Sequence, residues 1–169
     1  MPTLLVLRHA AAESSAAQDH ERALTADGRH DAATVGRALA VTHTPDRALV
    51  SSARRAHETF VRARDEGRWS ADVLLLDVLY HGAPQDVVVA IADHADGSPT
   101  LLLVGHEPWC SGLIELLTGA RVRMEAAAVG SIHVGPSWGA LDPQRCVLQW
   151  FAPPRTLADL SRRPRRFRT

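Results

Sequence analysis

Short apolar runs alternate along this chain with longer stretches in which apolar residues recur every three or four positions, the pattern of strands interleaved with helices. Thr3 to Leu7 is an unbroken Leu/Val-rich run, as expected of a strand covered on both faces, and it stops at Arg8-His9. Residues 10 to 24 are small and polar without periodicity and suit a loop. Thr25 then stands where a helix N-cap belongs, with Asp27 in the first turn and Ala32, Val35, Leu39 and Ala40 at helical spacing. Ala48 to Val50 reads as a second strand, and Ser51-Ser52 as the cap of a helix running to about Glu66. Val73 to Leu76 reads as a third strand, and Pro84 fits the first turn of a helix that carries Val87, Val88, Ile91 and Ala92. A fourth strand, Leu101 to Val104, breaks at Gly105-His106; a helical pattern from Trp109 to Leu117 closes at Gly119, and Val129–Val134 and Cys146–Phe151 read as two late strands. Alternation of this kind predicts an α/β fold with a mostly parallel sheet.

Length and composition narrow the class. A chain of 169 residues fits one domain that needs no metal or disulfide for its core, and 46% hydrophobic with 22% charged residues matches soluble globular proteins. No apolar run approaches the roughly 20 residues of a membrane span. Met1-Pro2-Thr3 leads into the first strand with no basic, signal-like segment, so a cytoplasmic protein is expected. Cys110 and Cys146 lack metal-ligand spacing and are expected to be two buried thiols. Net charge is zero, yet all basic residues are arginine and unevenly placed: Arg155 to Thr169 holds six Arg against one Asp, which leaves residues 1–154 net negative. The expected organisation is a domain over 1–154 and an Arg-rich C-terminal tail over 155–169. Such a tail suits nucleic acid or an acidic partner, but a solvated end explains the same residues with no ligand, so no nucleic-acid role is expected.

Chemistry-bearing residues gather at strand ends, where parallel sheets bind ligands. The first strand ends in Arg8-His9, the second leads into Ser51-Ser52-Ala53-Arg54-Arg55-Ala56-His57-Glu58-Thr59, and the fourth ends in Gly105-His106-Glu107-Pro108. With Leu24, Thr25 and Gly28 at the helix start, these residues resemble the histidine phosphatase superfamily, most closely its short SixA-type phosphohistidine phosphatase branch. The resemblance runs from Met1 to about Phe151. It implies a three-layer, phosphoglycerate mutase-like sandwich in which a mostly parallel sheet is flanked by helices. By the same resemblance His9 is the nucleophile, Arg8 and Arg55 are phosphate ligands, and His106 is the second histidine of the pocket. Arg22 stands where related short enzymes carry a basic residue at the pocket mouth, although a solvated loop arginine fits as well, and Glu107 opens a helix whose backbone N–H groups can add to the phosphate site. Arg54 is the alternative to Arg55, but the Arg-Ala-x-x-Thr pattern aligns Arg55.

The residue types suit phosphoryl transfer. Its transition state spreads charge over the equatorial oxygens, so catalysis needs an in-line nucleophile among fixed cations and donors. A neutral imidazole is nucleophilic near pH 7, and guanidinium groups grip phosphate oxygens bidentately at any physiological pH. No cofactor and no metal is expected; His20, His30, His43, His57, His81, His94 and His133 have no zinc-ligand spacing and are expected to serve surface or packing roles. The related mutases and many related esterases carry a glutamate after the third strand that protonates the leaving alkoxide. Here that region reads Asp77-Val78-Leu79-Tyr80-His81-Gly82, and Asp77, His81 and Asp86 are the candidates without a clear choice. Imidazole, with a conjugate-acid pKa of roughly 6.5, leaves with much less help than an alkoxide, which favours P–N bonds and a phosphohistidine-bearing partner protein, such as a phosphorelay or carrier protein. The alternatives are hydrolysis of a sugar or nucleotide phosphate on the same scaffold, and a non-catalytic phosphate- or nucleic-acid-binding module.

Overall fold

The computed structural model describes residues 2–95 and 97–162. Six strands, β1 (Thr3–Arg8), β2 (Arg47–Ser51), β3 (Asp72–Leu76), β4 (Thr100–Gly105), β5 (Val129–His133) and β6 (Val147–Ala152), form one sheet in the order β3-β2-β4-β1-β5-β6. The first four are parallel, and β5 and β6 run antiparallel to their neighbours at one end. This is the expected α/β sandwich with a mostly parallel sheet.

Helices cover both faces: α1 (Ala26–Thr42), α2 (Arg54–Gly67), a single turn α3 (Val78–His81), α4 (Pro84–His94), α5 (Trp109–Thr118) and α6 (Pro154–Arg162). The two-residue period of the strands divides the core between the faces. Leu4 and Val6 of β1, with Leu101 and Leu103 of β4, pack against Val87, Ile91, Leu113 and Ile114 of α4 and α5. Their neighbours Leu5, Leu7, Leu102 and Val104 pack against Val35, Leu39 and Phe60 of α1 and α2. The central strands are therefore apolar on both faces through Leu4–Leu7 and Leu101–Val104, whereas β3 lies at the sheet edge with Val73, Leu74 and Leu75 exposed.

Thr25 caps α1 as expected: its side chain accepts from the Gly28 N–H at 3.0 Å. The expected Ser51-Ser52 cap of α2 is not formed. The N-cap is Ala53, without a side-chain bond, because the Ser51 hydroxyl lies between the Ala53 N–H and a histidine of the site. The expected division after residue 154 falls at the start of α6, whose Leu157 is 1% exposed and joins the α1–α2 core. The first part of the Arg-rich segment thus packs on the domain because it carries an apolar anchor; residues 163–169 of the tail lie outside the described residues. Cys110 and Cys146 are buried free thiols. No helix among the described residues is long and apolar enough to cross a membrane.

Candidate active site

The parallel strands β1, β2 and β4 end side by side, and their register brings Arg8 opposite Gly105. The residues that follow these strands therefore meet above the sheet, where a cavity of about 440 Å³ is lined by Arg8, His9, Arg55 and His106, with Arg22 and Glu107 at its walls. All six sequence-predicted site residues come together.

His9 is held in one tautomer. Its Nδ1 lies 2.7 Å from the Ala10 carbonyl, which can only accept, so the ring proton resides on Nδ1 and Nε2 keeps its lone pair. Arg55 Nε donates toward that Nε2 at 3.3 Å. Burial, reinforced by the positive charges of Arg55, Arg8 and Arg22 and only partly offset by the Ala10 bond, lowers the His9 pKa to about 4. The ring is consequently a neutral base with its lone pair in the cavity near pH 7.

His106 faces His9 with ring centroids 4.9 Å apart. Burial, with His9 and Arg55 adding to it, lowers its pKa to about 3, so it too is neutral. Its Nε2 is 2.8 Å from Ser51 Oγ. That oxygen also accepts from the Ala53 N–H, and His106 Nδ1 is a buried atom with no partner; when the hydroxyl gives its proton to Nε2, the ring proton of His106 sits on Nδ1. His106 thus brings to the cavity lining a neutral ring with one nitrogen not yet hydrogen-bonded.

Arg8 is anchored by donation from Nη1 to the Met124 carbonyl at 2.7 Å, while its buried Nε has no partner. Arg55, which the structure buries almost completely, is the ligand expected from the sequence; Arg54 instead pairs with Glu58 at the surface at 2.7 Å. Thr59 explains the rest of the Arg-Ala-x-x-Thr pattern, because its hydroxyl accepts from the Ala10 N–H and donates to the Arg55 carbonyl. Gly28 has an equally local reason: a Cβ there would collide with the Ala11 carbonyl, which also receives the Thr25 N–H. Glu107 lines the cavity, but its carboxylate accepts from the Ser111 hydroxyl at 2.7 Å.

Two residues of the site escaped the sequence. Asp19, on a short 3-10 turn (Asp19–Glu21) in the loop after β1, accepts from Arg55 Nη2 at 3.0 Å, Arg22 Nη1 at 3.0 Å and the Tyr80 hydroxyl at 2.9 Å, and its backbone carbonyl accepts from Arg55 Nη1. Those donors, Arg22 and Tyr80 foremost, hold its carboxyl well below the usual carboxylate range. Tyr80, on α3, packs edge-on against His106 at 5.5 Å and against His20 at 5.1 Å, with the Arg55 guanidinium over its ring at 5.8 Å. Of the acid candidates, His81 lines the cavity; Asp77 and Asp86 are not in its lining, and the Asp86 carboxylate accepts from the Ala83 N–H at the start of α4. No group of three or more His, Cys, Asp or Glu able to hold a metal ion is found among the described residues.

The chain is 30% identical over 162 residues to the uncharacterized proteins MT1313 and Rv1276c from two strains of Mycobacterium tuberculosis, covering 88% of this chain and 100% of each. It is similar in structure to a protein assigned as the phosphohistidine phosphatase SixA of Nakamurella multipartitia (TM-score 0.81, 29% identity, 90% of this chain and 96% of that one). It shares its fold with the protein histidine phosphatase SixA complexed with tungstate (TM-score 0.80, 22% identity, 92% and 99% covered). No family model matches the chain.

Proposed function

Because this chain belongs to the histidine phosphatase superfamily, we propose that it hydrolyses phosphohistidine on a partner protein through a phosphorylated His9. In the first step the His9 Nε2 lone pair attacks phosphorus, and the P–N bond to the substrate ring breaks. The guanidinium groups of Arg8 and Arg55 and the N–H of His106 meet the charge on the equatorial oxygens. In the second step water attacks phospho-His9, phosphate departs, and the ring recovers its lone pair. Throughout, the Ala10 carbonyl holds the Nδ1 proton, which disperses the positive charge that the ring carries while phosphorylated.

The observation that carries the substrate class is the state of the two carboxylates lining the cavity. Asp19 is kept ionised by three donors and Glu107 is tied to Ser111, so neither is placed to protonate an alkoxide. A leaving group that needs little protonation fits such a site, and imidazole is one. A second reading, hydrolysis of a small phosphate ester, draws on His81, a cavity residue that can carry a proton to a leaving oxygen. Comparing kcat/KM for a phosphohistidine-bearing carrier protein with a panel of sugar and nucleotide phosphates separates the two, with faster ester turnover reversing the ranking. Mass spectrometry of enzyme quenched in alkali should find the phosphoryl group on His9, and its appearance on another residue would remove the nucleophile assigned here.

A further inference from the structure

Asp19 sits where its carboxylate can reach beyond the phosphate site. Arg55 spans the gap, with Nε toward His9 Nε2 and Nη2 on Asp19 Oδ2, so one guanidinium separates the nucleophile from the carboxylate. Of the roughly four acceptor positions on a carboxylate, the Arg55 and Tyr80 donors take the two on Oδ2 and Arg22 takes one on Oδ1, which leaves one on Oδ1. The side chain is 53% exposed and lines the cavity. Around it stands a wall of flat rings: Tyr80 with His20 edge-on at 5.1 Å and His81 edge-on at 6.0 Å. Flat rings beside a carboxylate acceptor suit a planar heterocycle that carries an N–H.

We propose that Asp19 binds the distal ring N–H of the substrate phosphohistidine and makes it leave as neutral imidazole. This rests on the phosphohistidine reading above and adds a residue to it. The balance of the step requires such a partner. When His9 Nε2 forms its bond to phosphorus, the electron pair of the breaking P–N bond returns to the substrate ring. If the distal nitrogen carries a proton, the ring departs neutral; if not, it departs as an anion, a far poorer leaving group. An ionised carboxylate on the distal N–H stabilises the protonated ring before cleavage and needs no proton transfer of its own. The enzyme makes the same arrangement on its own side of the phosphorus, where the Ala10 carbonyl holds the distal N–H of His9. Phosphorus would thus pass between two imidazoles, each with its far N–H on a fixed oxygen acceptor.

The test compares Asp19→Asn and Asp19→Glu with wild type on a chemically phosphorylated histidine peptide and on 4-nitrophenyl phosphate, whose phenolate leaves unprotonated. D19N should lower kcat on the peptide at least tenfold more than on the ester, and D19E, which restores the charge, should recover much of that difference. Equal losses on the two substrates would make Asp19 a holder of Arg55 only, and gains on both would make it an anion competing with phosphate; either overturns the proposal while leaving the phosphohistidine reading in place. Wild-type enzyme that cleaves the ester but not the peptide overturns that reading and the role of Asp19 with it.

Discussion

The Thr59 hydroxyl joins Ala10 to Arg55: it accepts from the Ala10 N–H at 3.0 Å and donates to the Arg55 carbonyl at 2.6 Å. Ala10 is also the residue whose carbonyl fixes the His9 tautomer, so one buried oxygen sets His9 and Arg55 relative to each other. Thr59→Val keeps the shape and leaves the Ala10 N–H buried without an acceptor, which costs about 1–3 kcal/mol. Chemical denaturation should show that loss, and kcat should fall as well because His9 is no longer registered against Arg55. A T59V enzyme of reduced stability and full kcat would show that the contact only supports the fold.

The two site histidines give the protein a defined response to acid. Both rings have folded-state pKa values below the ordinary 6.5, about 4 for His9 and about 3 for His106, with burial the main cause. The unfolded chain therefore binds protons that the folded chain refuses once the pH falls below 6.5. The stability these groups contribute is fully present above pH 6.5 and is lost progressively as the pH falls toward about 4 for His9 and about 3 for His106. In an NMR titration the His9 and His106 ring signals should stay unchanged through pH 6.5 and move only near pH 4 or below. A midpoint near 6.5 for His9 would mean that the ring is solvated and that the base is not kept neutral by its surroundings.

The sequence revealed the site to the extent that each functional group sat on a regular element. His9 and His106 follow strands whose apolar runs are unmistakable, so their meeting could be read from the strand ends, while Arg55, in the first turn of α2, was picked out from Arg54 by the resemblance. Asp19 could not be found that way, since it lies in an aperiodic loop and acts through the donors it meets in space. Ser51 was legible as a serine before a helix, which local rules make a cap; the demand of a buried imidazole overrode that preference. The same conflict between local and tertiary signals hid α6, where charge dominates the composition but the Leu157 side chain is buried in the core.

Leu157 supplies a direct measure of how firmly α6 belongs to the domain. It is 1% exposed and belongs to the core cluster that holds Val35 and Leu39 of α1, the helix on which α6 packs. Leu157→Ala should cost about 2–5 kcal/mol, the range for removing a packed leucine from a core. Thermal unfolding gives the number. A cost below about 1 kcal/mol would show that α6 rests on the surface without contributing to the core.

Ser51 controls the second histidine. With the Ala53 N–H on one lone pair, its hydroxyl is expected to give its proton to His106 Nε2, which holds the ring proton on Nδ1. Ser51→Ala frees the ring to place its proton on either nitrogen, and one of the two tautomers presents a lone pair instead of an N–H to the phosphoryl oxygens. Since a net hydrogen bond is worth about 1 kcal/mol, kcat should fall on the order of tenfold while the peptide chain remains folded. The loss should appear in kcat more than in KM, because the His106 bond strengthens as charge builds on the oxygens in the transition state. Nitrogen-15 spectra of the variant should show a mixed tautomer population where wild type shows a single form with the proton on Nδ1. If wild type instead carries that proton on Nε2, then the hydroxyl of Ser51 is the acceptor and His106 contributes to the oxyanion site by packing alone.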